Sequence, residues 1–169
     1  EGGEAADTAG RLDDLKRAME HDAVTAVDVE LAALEGDGEH DAGRVVDHAR
    51  EHGASVVVST HDFEATPDRD TITDRLRRAC EHGDVGKMAT TAASADDVLA
   101  MLDATRDLTA DGKQVATMCM GEPGRHSRAV APLYGSRIGY APVDPEAATA
   151  PGQYDLTTLR SLVTQLRSE

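Results

Sequence analysis

The sequence predicts an α/β fold with a parallel sheet, and three observations support this prediction. Stretches rich in β-branched residues alternate with amphipathic stretches of helical periodicity along the chain. Turns containing glycine or proline separate them, and each strand–helix unit takes roughly thirty residues, the length of a βαβ unit. Five such units fit either an open, flavodoxin-like sheet or the last five-eighths of a (β/α)8 barrel, and the pattern alone does not choose between them.

Strands are predicted where β-branched and other apolar residues run together, because such side chains pack well on a pleated surface. The predicted strands are 24–31, 54–59, 85–90, 114–120 and 137–141. In a parallel α/β fold the carboxyl ends of the strands carry the chemistry, whichever topology applies. The residues at those ends are therefore the first candidates for a functional site.

Helices are predicted where apolar residues recur at three- and four-residue intervals between turn signals. The predicted helices are about 40–52, 72–82, 95–112, 127–134 and 156–166. Ser94 is a predicted N-cap, and Gly53, Gly83 and Gly112 mark predicted helix ends.

The charge of the chain argues against two classes of partner. Acidic residues outnumber basic ones by 32 to 17, which gives a formal net charge of −15. A strongly negative surface opposes binding to nucleic acid and to anionic membranes, and no apolar run approaches the roughly 20 residues that span a bilayer. Acid-rich, lysine-poor chains are typical of high-salt cytoplasm, where salt screens self-repulsion. The sequence thus predicts a halophilic, cytoplasmic protein.

Neither a metal nor a disulfide is indicated. Cys80 and Cys119 lack the regular spacing of a disulfide scaffold or a zinc site. His48 and His52 form an i, i+4 pair, but no third ligand is evident. The glycine spacings of nucleotide-binding loops are absent as well. We therefore expect neither a metal nor a nucleotide cofactor.

A histidine and a lysine on neighbouring strands form the first candidate pair. His61 closes the strand at 54–59, and Asp62 beside it is placed to orient the ring. Lys87 lies in a short apolar strand, where burial favours its neutral, nucleophilic form. Taken alone, each has an ordinary explanation, a histidine bonded to a backbone carbonyl and a lysine whose head reaches solvent. Together they supply the amine and the acid/base that imine chemistry needs.

Two later loops add groups suited to an anionic, polar ligand. Arg128 follows a glycine-rich loop and can pair bidentately with a carboxylate or phosphate. The turn at 148–153 offers the hydroxyl of Thr149 and the amide of Gln153. A solvated arginine and a plain turn before the last helix are the alternative interpretations.

These segments together resemble the type I 3-dehydroquinate dehydratases of the shikimate pathway. The resemblance rests on Ser59-Thr60-His61-Asp62-Phe63 with Thr66-Pro67, on Lys87, on Met118-Cys119-Met120 with Gly124 and Ser127-Arg128, on Gly135-Ser136, and on Ala150-Pro151-Gly152-Gln153. They follow the family's order over nearly the whole chain, although each alone is weak. The resemblance implies a (β/α)8 TIM barrel, of which residues 1–169 form a single partial domain covering about the last five β/α units.

The resemblance also implies a reaction. Lys87 would form a Schiff base with the C3 ketone of 3-dehydroquinate, and His61 would remove a C2 proton and help protonate the departing C1 hydroxyl, giving 3-dehydroshikimate. Arg128 would hold the substrate carboxylate. Thr149, where the family often has serine, and Gln153 would hydrogen-bond its polar groups. No metal or organic cofactor is implied, and family analogy suggests a homodimer.

Two alternatives remain open from the sequence. Imine chemistry alone also fits a class I aldolase-like lyase, although the Arg128 loop and the Pro-Gly-Gln turn favour the dehydratase. Five units of a barrel would expose two sheet edges, so a non-catalytic fragment is the second alternative.

On the same resemblance, Glu1-Gly2-Gly3-Glu4 matches the loop after the third barrel strand, and Glu1 matches an acidic residue near the catalytic histidine.

Overall fold

Four parallel strands build one sheet. The computed structural model describes residues 8–36 and 42–167. The strands are β1 (Ala26–Glu30), β2 (Ser55–Asp62), β3 (Val85–Thr91) and β4 (Val115–Met120), and they lie side by side in that order. Parallel strands that follow one another in the chain need crossover connections, and helices supply them. The predicted α/β class is confirmed.

Helices connect and flank the strands. In the described part of the chain they are α1 (Thr8–Met19), α2 (Leu31–Glu35), α3 (Ala42–Glu51), α4 (Arg69–His82), α5 (Ala95–Ala110), α6 (Gly121–Gly124), α7 (Ser127–Val130) and α8 (Leu156–Leu166), with 3-10 helices at Ala131–Tyr134 and Pro145–Ala147. The Ser94 N-cap is confirmed, since Ser94 and Asp97 form a capping box at the start of α5. Helix α1 was not expected, although Leu12, Leu15 and Met19 have helical spacing. None of these described helices is long and apolar enough to cross a membrane.

Alternation along the strands gives the sheet a packed face and a polar face. On the packed face, Val29 and Val58 belong to the apolar cluster that joins β1 and β2 to α1 and α3. Met88 of β3 packs there with Ile72 and Leu76 of α4, both fully buried. The intervening strand residues point the other way, and they carry the ionisable side chains of the site.

The fifth predicted strand, 137–141, is wrong. The sheet formed by the described residues ends at β4, and this segment runs past it without joining the ladder. One backbone hydrogen bond, from Arg137 N to Val115 O at 2.8 Å, ties the start of the segment to β4. The segment therefore forms an irregular connection rather than a strand.

Serine hydroxyls explain why no strand pairs with the outer edge of β4. Thr117 N donates to Ser136 Oγ at 2.9 Å, and Cys119 N donates to Ser127 Oγ at 2.8 Å. These N–H groups are the ones that a fifth strand would have to pair with, and buried N–H groups need only one good acceptor. The hydroxyls of two serines that follow β4 in the chain accept the hydrogen bonds that the backbone of a fifth strand would otherwise accept.

Candidate active site

The strand register places four ionisable side chains on the polar face of the sheet. Glu30 of β1, Ser59 of β2 and Lys87 of β3 are direct partners across three strands. Asp28 precedes Glu30 by two residues and His61 follows Ser59 by two, so both point to the same face. Residues far apart in sequence are thereby brought to one side of the sheet.

A continuous chain of hydrogen bonds joins these side chains. Glu30 Oε1 lies 2.6 Å from His61 Nδ1, and His61 Nε2 lies 3.2 Å from Lys87 Nζ. Lys87 Nζ also donates to Asp28 Oδ2 at 2.9 Å, and the lysine side chain is only 9% exposed. Because an ionised carboxylate only accepts, Glu30 fixes the ring hydrogen on Nδ1 and leaves the Nε2 lone pair facing Lys87. His61 is therefore a base at Nε2, in contact with a buried amine.

Two aromatic rings pack against this histidine–lysine pair. The Tyr140 ring centroid lies 5.0 Å from Lys87 Nζ, within reach of a cation–π interaction. Phe63 stacks on His61 with ring centroids 5.8 Å apart. Burial raises the pKa of Tyr140, so its hydroxyl stays protonated at neutral pH. Tyr140 comes from the segment that was expected to be a strand, and its side chain contributes to the site all the same.

Arg128 is a buried cation with few partners. Its Nη2 donates to Pro151 O at 3.3 Å, its Nη1 contacts Met118 Sδ at 3.6 Å, and its Nε has no hydrogen-bond partner. None of the partners found for it among the described residues is a carboxylate, and burial lowers the pKa of its guanidinium. A desolvated guanidinium without a counter-ion is suited to receive an anionic ligand.

The turn at 148–153 closes over one side of the site. Gln153 Oε1 accepts hydrogen bonds from Thr149 N at 2.8 Å and Ala150 N at 3.3 Å, which leaves the amide nitrogen of Gln153 to donate to a ligand. Gly152 has a positive φ of 76°, and a Cβ there would lie 2.7 Å from Gly121 O. Only glycine fits this position, because a side chain would push the turn away from the loop after β4.

All five residues predicted for the site line one cavity. Its volume is about 190 Å³, and a hole of roughly 150 Å³ already admits benzene. The predicted residues on its wall are His61, Lys87, Arg128, Thr149 and Gln153. The cavity thus has room for a small organic molecule, with an amine, a base and an arginine on its wall.

Comparison with known proteins agrees with this geometry. The family model described as type I 3-dehydroquinase matches residues 1–169. The chain belongs to the type I 3-dehydroquinase family. The predicted family and its barrel type of fold are confirmed, since solved type I dehydroquinases superpose on the chain.

Members of this dehydroquinase family resemble the chain over nearly all of its length. The 3-dehydroquinate dehydratase of Haloarcula marismortui is 79% identical over 169 residues, which are 100% of this chain and 74% of that protein. The Salmonella typhimurium enzyme is 37% identical and covers 98% of this chain, with 65% of its own length matched. The crystal structure of the Geobacillus kaustophilus enzyme has a TM-score of 0.87 at 30% identity, covering 100% of this chain and 65% of its own. The chain therefore spans roughly two thirds to three quarters of the length of these relatives.

Haloarchaeal dehydroquinases account for the acidic composition. The Haloarcula marismortui relative and a Halobacterium salinarum relative, 46% identical over 167 residues, come from salt-loving organisms. The halophilic prediction is confirmed. The net charge of −15 agrees with that prediction.

Within this dehydroquinase site, one prediction about ring orientation is wrong. Asp62 does not contact His61, because adjacent residues on a strand point to opposite faces. Asp62 Oδ1 instead accepts from Glu64 N at 3.2 Å and Ala65 N at 3.0 Å, which shapes the following loop. Glu30 orients the ring, as its 2.6 Å contact shows. Glu1, suggested as an acidic neighbour of the histidine, lies outside the described residues.

Sequence reasoning missed two residues that contact Lys87. Asp28 contacts the lysine amine, and Tyr140 covers it. The signal for Asp28 was its two-residue spacing from Glu30, which puts both carboxylates on one face of β1. No sequence signal pointed to Tyr140, since its segment forms no regular element.

Residues 8–36 and 42–167 contain no group of three or more His, Cys, Asp and Glu side chains arranged to hold a metal ion. The helical pair His48 and His52 packs ring against ring, with centroids 4.2 Å apart.

Proposed function

We propose that the protein dehydrates 3-dehydroquinate to 3-dehydroshikimate through a Schiff base on Lys87. The supporting observation is that the Lys87 amine lies 3.2 Å from His61 Nε2, in a cavity that also holds the buried Arg128. An amine in contact with a base suits imine formation on a ketone. The structure of a relative, the Clostridium difficile enzyme, contains covalent modified comenic acid, and a covalent intermediate is what we propose here.

The first half of the reaction forms the imine. The neutral Lys87 amine attacks C3 of the substrate, the N–C bond forms, and the carbonyl π electrons move to oxygen, which takes the proton that the nitrogen gives up. The hydroxyl of the resulting carbinolamine takes a second proton from solvent and leaves as water, and the nitrogen lone pair forms the C=N bond of an iminium ion. The positive nitrogen now withdraws electrons from the neighbouring C2–H bond.

The second half eliminates the C1 hydroxyl. His61 Nε2 takes a proton from C2, the C–H electrons form a C2=C3 double bond, and the C=N π electrons move onto nitrogen, which gives an enamine. The nitrogen lone pair then re-forms the C=N bond, the C2=C3 π electrons form a C1=C2 double bond as the C1–O bond breaks, and the proton held by His61 leaves with the hydroxyl as water. Hydrolysis of the conjugated imine releases 3-dehydroshikimate and restores Lys87.

Three further side chains are proposed to hold the substrate. Arg128 pairs with the substrate carboxylate, since its Nε and Nη1 have no strong acceptor in the described structure. Thr149 and Gln153 donate to hydroxyl groups from the turn at 148–153. The family match favours the dehydratase over the aldolase-like alternative.

An activity assay tests this proposal. The full protein encoded by the gene, in high-salt buffer, is expected to convert 3-dehydroquinate to the conjugated enone product, followed by its ultraviolet absorbance. Lys87→Met should abolish turnover, because no amine remains to form the imine. Lys113→Met, a control at another of the three lysines, should leave the rate unchanged. Turnover by Lys87→Met at the wild-type rate would contradict the Schiff-base mechanism.

We further propose that residues 1–169 belong to a single domain, that the protein works in the cytoplasm, and that it assembles as a homodimer. The acidic composition supports the cytoplasmic location, because high intracellular salt screens such charge. Light scattering in 2 M KCl tests the assembly: a monomer mass would contradict it.

A further inference from the structure

We propose that Asp28 is the counter-ion of the iminium nitrogen and thereby frees His61 for proton transfer. The inference rests on the proposed Schiff-base function and adds a residue to it. It begins from the two acceptors that contact Lys87 Nζ, Asp28 Oδ2 at 2.9 Å and His61 Nε2 at 3.2 Å. The two acceptors face the same nitrogen, so the number of N–H groups on that nitrogen decides whether it can bond both of them.

Counting hydrogens on the nitrogen shows why the choice matters. A lysine ammonium has three N–H groups and can bond both acceptors at once. After condensation with a ketone, the iminium nitrogen retains one N–H, which can bond only one of them. If that hydrogen went to His61 Nε2, the lone pair needed to remove the C2 proton would be occupied.

Charge and distance direct the single hydrogen to Asp28. The carboxylate of Asp28 is the closer acceptor, and a carboxylate binds a positively charged N–H more strongly than an imidazole nitrogen does. The other ring nitrogen of His61 cannot act as the base instead, because Nδ1 is hydrogen-bonded to Glu30 Oε1 at 2.6 Å. Asp28 therefore binds the iminium N–H, and Nε2 of His61 turns to C2 with its lone pair free.

The iminium charge also needs compensation where it forms. Lys87 is 9% exposed at its side chain, and the remaining neighbour identified on that nitrogen is the uncharged Tyr140 ring at 5.0 Å. A buried cation is costly without an anion beside it. Asp28 supplies that anion in both the ammonium and the iminium state. The two carboxylates of β1 thus have different roles. Glu30 orients the His61 ring, and Asp28 compensates the positive charge of the iminium nitrogen.

Replacing Asp28 with asparagine tests the inference in the full gene product. Because proton removal from C2 should slow while imine formation continues, we expect Asp28→Asn to lower kcat on the order of 100-fold, the size of losing one electrostatic contact to a reacting centre. The fraction of enzyme trapped by borohydride at saturating 3-dehydroquinate should equal or exceed that of wild type. Substrate deuterated at C2 should show a larger isotope effect on kcat in the variant than in wild type.

Asp111→Asn is the matched control, since it removes an equal charge from an exposed pair with Arg77 and should change none of these readouts. Asp28→Glu should keep kcat within about tenfold, because it retains the carboxylate. Loss of the trapped adduct in Asp28→Asn, or a kcat within about threefold of wild type, would overturn the inference. If Asp28→Asn does not fold, Asp28→Ser is judged by the same criteria, and failure of both to fold would make Asp28 a structural residue. Absence of any adduct in wild type would instead overturn the proposed function.

Discussion

Replacing Arg128 with methionine should weaken substrate binding without weakening the fold. Arg128 is 6% exposed, and its Nε and Nη1 lack a strong acceptor within the described residues. Two charged hydrogen bonds to a carboxylate contribute about 1.5–3 kcal/mol each. Taking about 3 kcal/mol in total, since the cavity is open to water, we expect KM to rise about 150-fold.

The free protein should not lose stability in this variant, although its substrate binding becomes weaker. Arg128 donates one charged hydrogen bond, to Pro151 O, yet its burial removes a guanidinium from water at a cost of several kcal/mol. We therefore expect the free energy of unfolding of Arg128→Met to be unchanged or higher by up to about 2 kcal/mol. If Arg128 were only structural, its replacement would leave KM near the wild-type value and would lower the free energy of unfolding.

Steady-state kinetics and thermal unfolding, both in 2 M KCl, measure the two effects. Arg160→Met, at an exposed position on α8, is the control and should alter neither. A KM within about fivefold of wild type, or a large fall in the melting temperature, would refute the assignment of Arg128 to the substrate carboxylate.

Three further predictions concern the base, a helix cap and salt. His61→Ala should lower kcat about 100-fold or more while still allowing borohydride trapping of the imine; an unchanged rate would remove His61 as the base. Ser94→Ala should lower the free energy of unfolding by about 1 kcal/mol, because it breaks the capping box with Asp97 at the start of α5, and a denaturant titration checks this. Circular dichroism should show the melting temperature rising between 0.1 and 2 M KCl, since salt screens a net charge of −15; full stability in dilute buffer would contradict the halophilic interpretation.

The elements that sequence predicted well are those fixed by local patterns. Strands β1 to β4 follow runs of β-branched residues, and the Ser94 cap follows from its position before an amphipathic stretch. The segment 137–141 has a similar pattern, yet the hydroxyls of Ser127 and Ser136 hold the edge of β4 that it would have joined. That competition is between residues far apart in sequence, and no local pattern reveals it.

The site shows the same limit at the level of side chains. His61 and Lys87 were predictable, because functional groups of parallel sheets lie at strand ends. The partners of these two residues depend on strand register. Adjacency in sequence suggested Asp62 as the orienting group, whereas the pleat turns Asp62 away and brings Glu30 to His61 from another strand. Asp28 reaches Lys87 across β2 for the same reason.

The most direct test of the Schiff-base mechanism is the mass of the borohydride-trapped protein. Full-length protein is incubated with 3-dehydroquinate, reduced with borohydride and analysed by intact mass and peptide mapping. We predict one added group per chain, carried on the peptide that contains Lys87 and absent from Lys87→Met. An unmodified wild-type protein that still turns over substrate, or an adduct on another lysine, would contradict the mechanism.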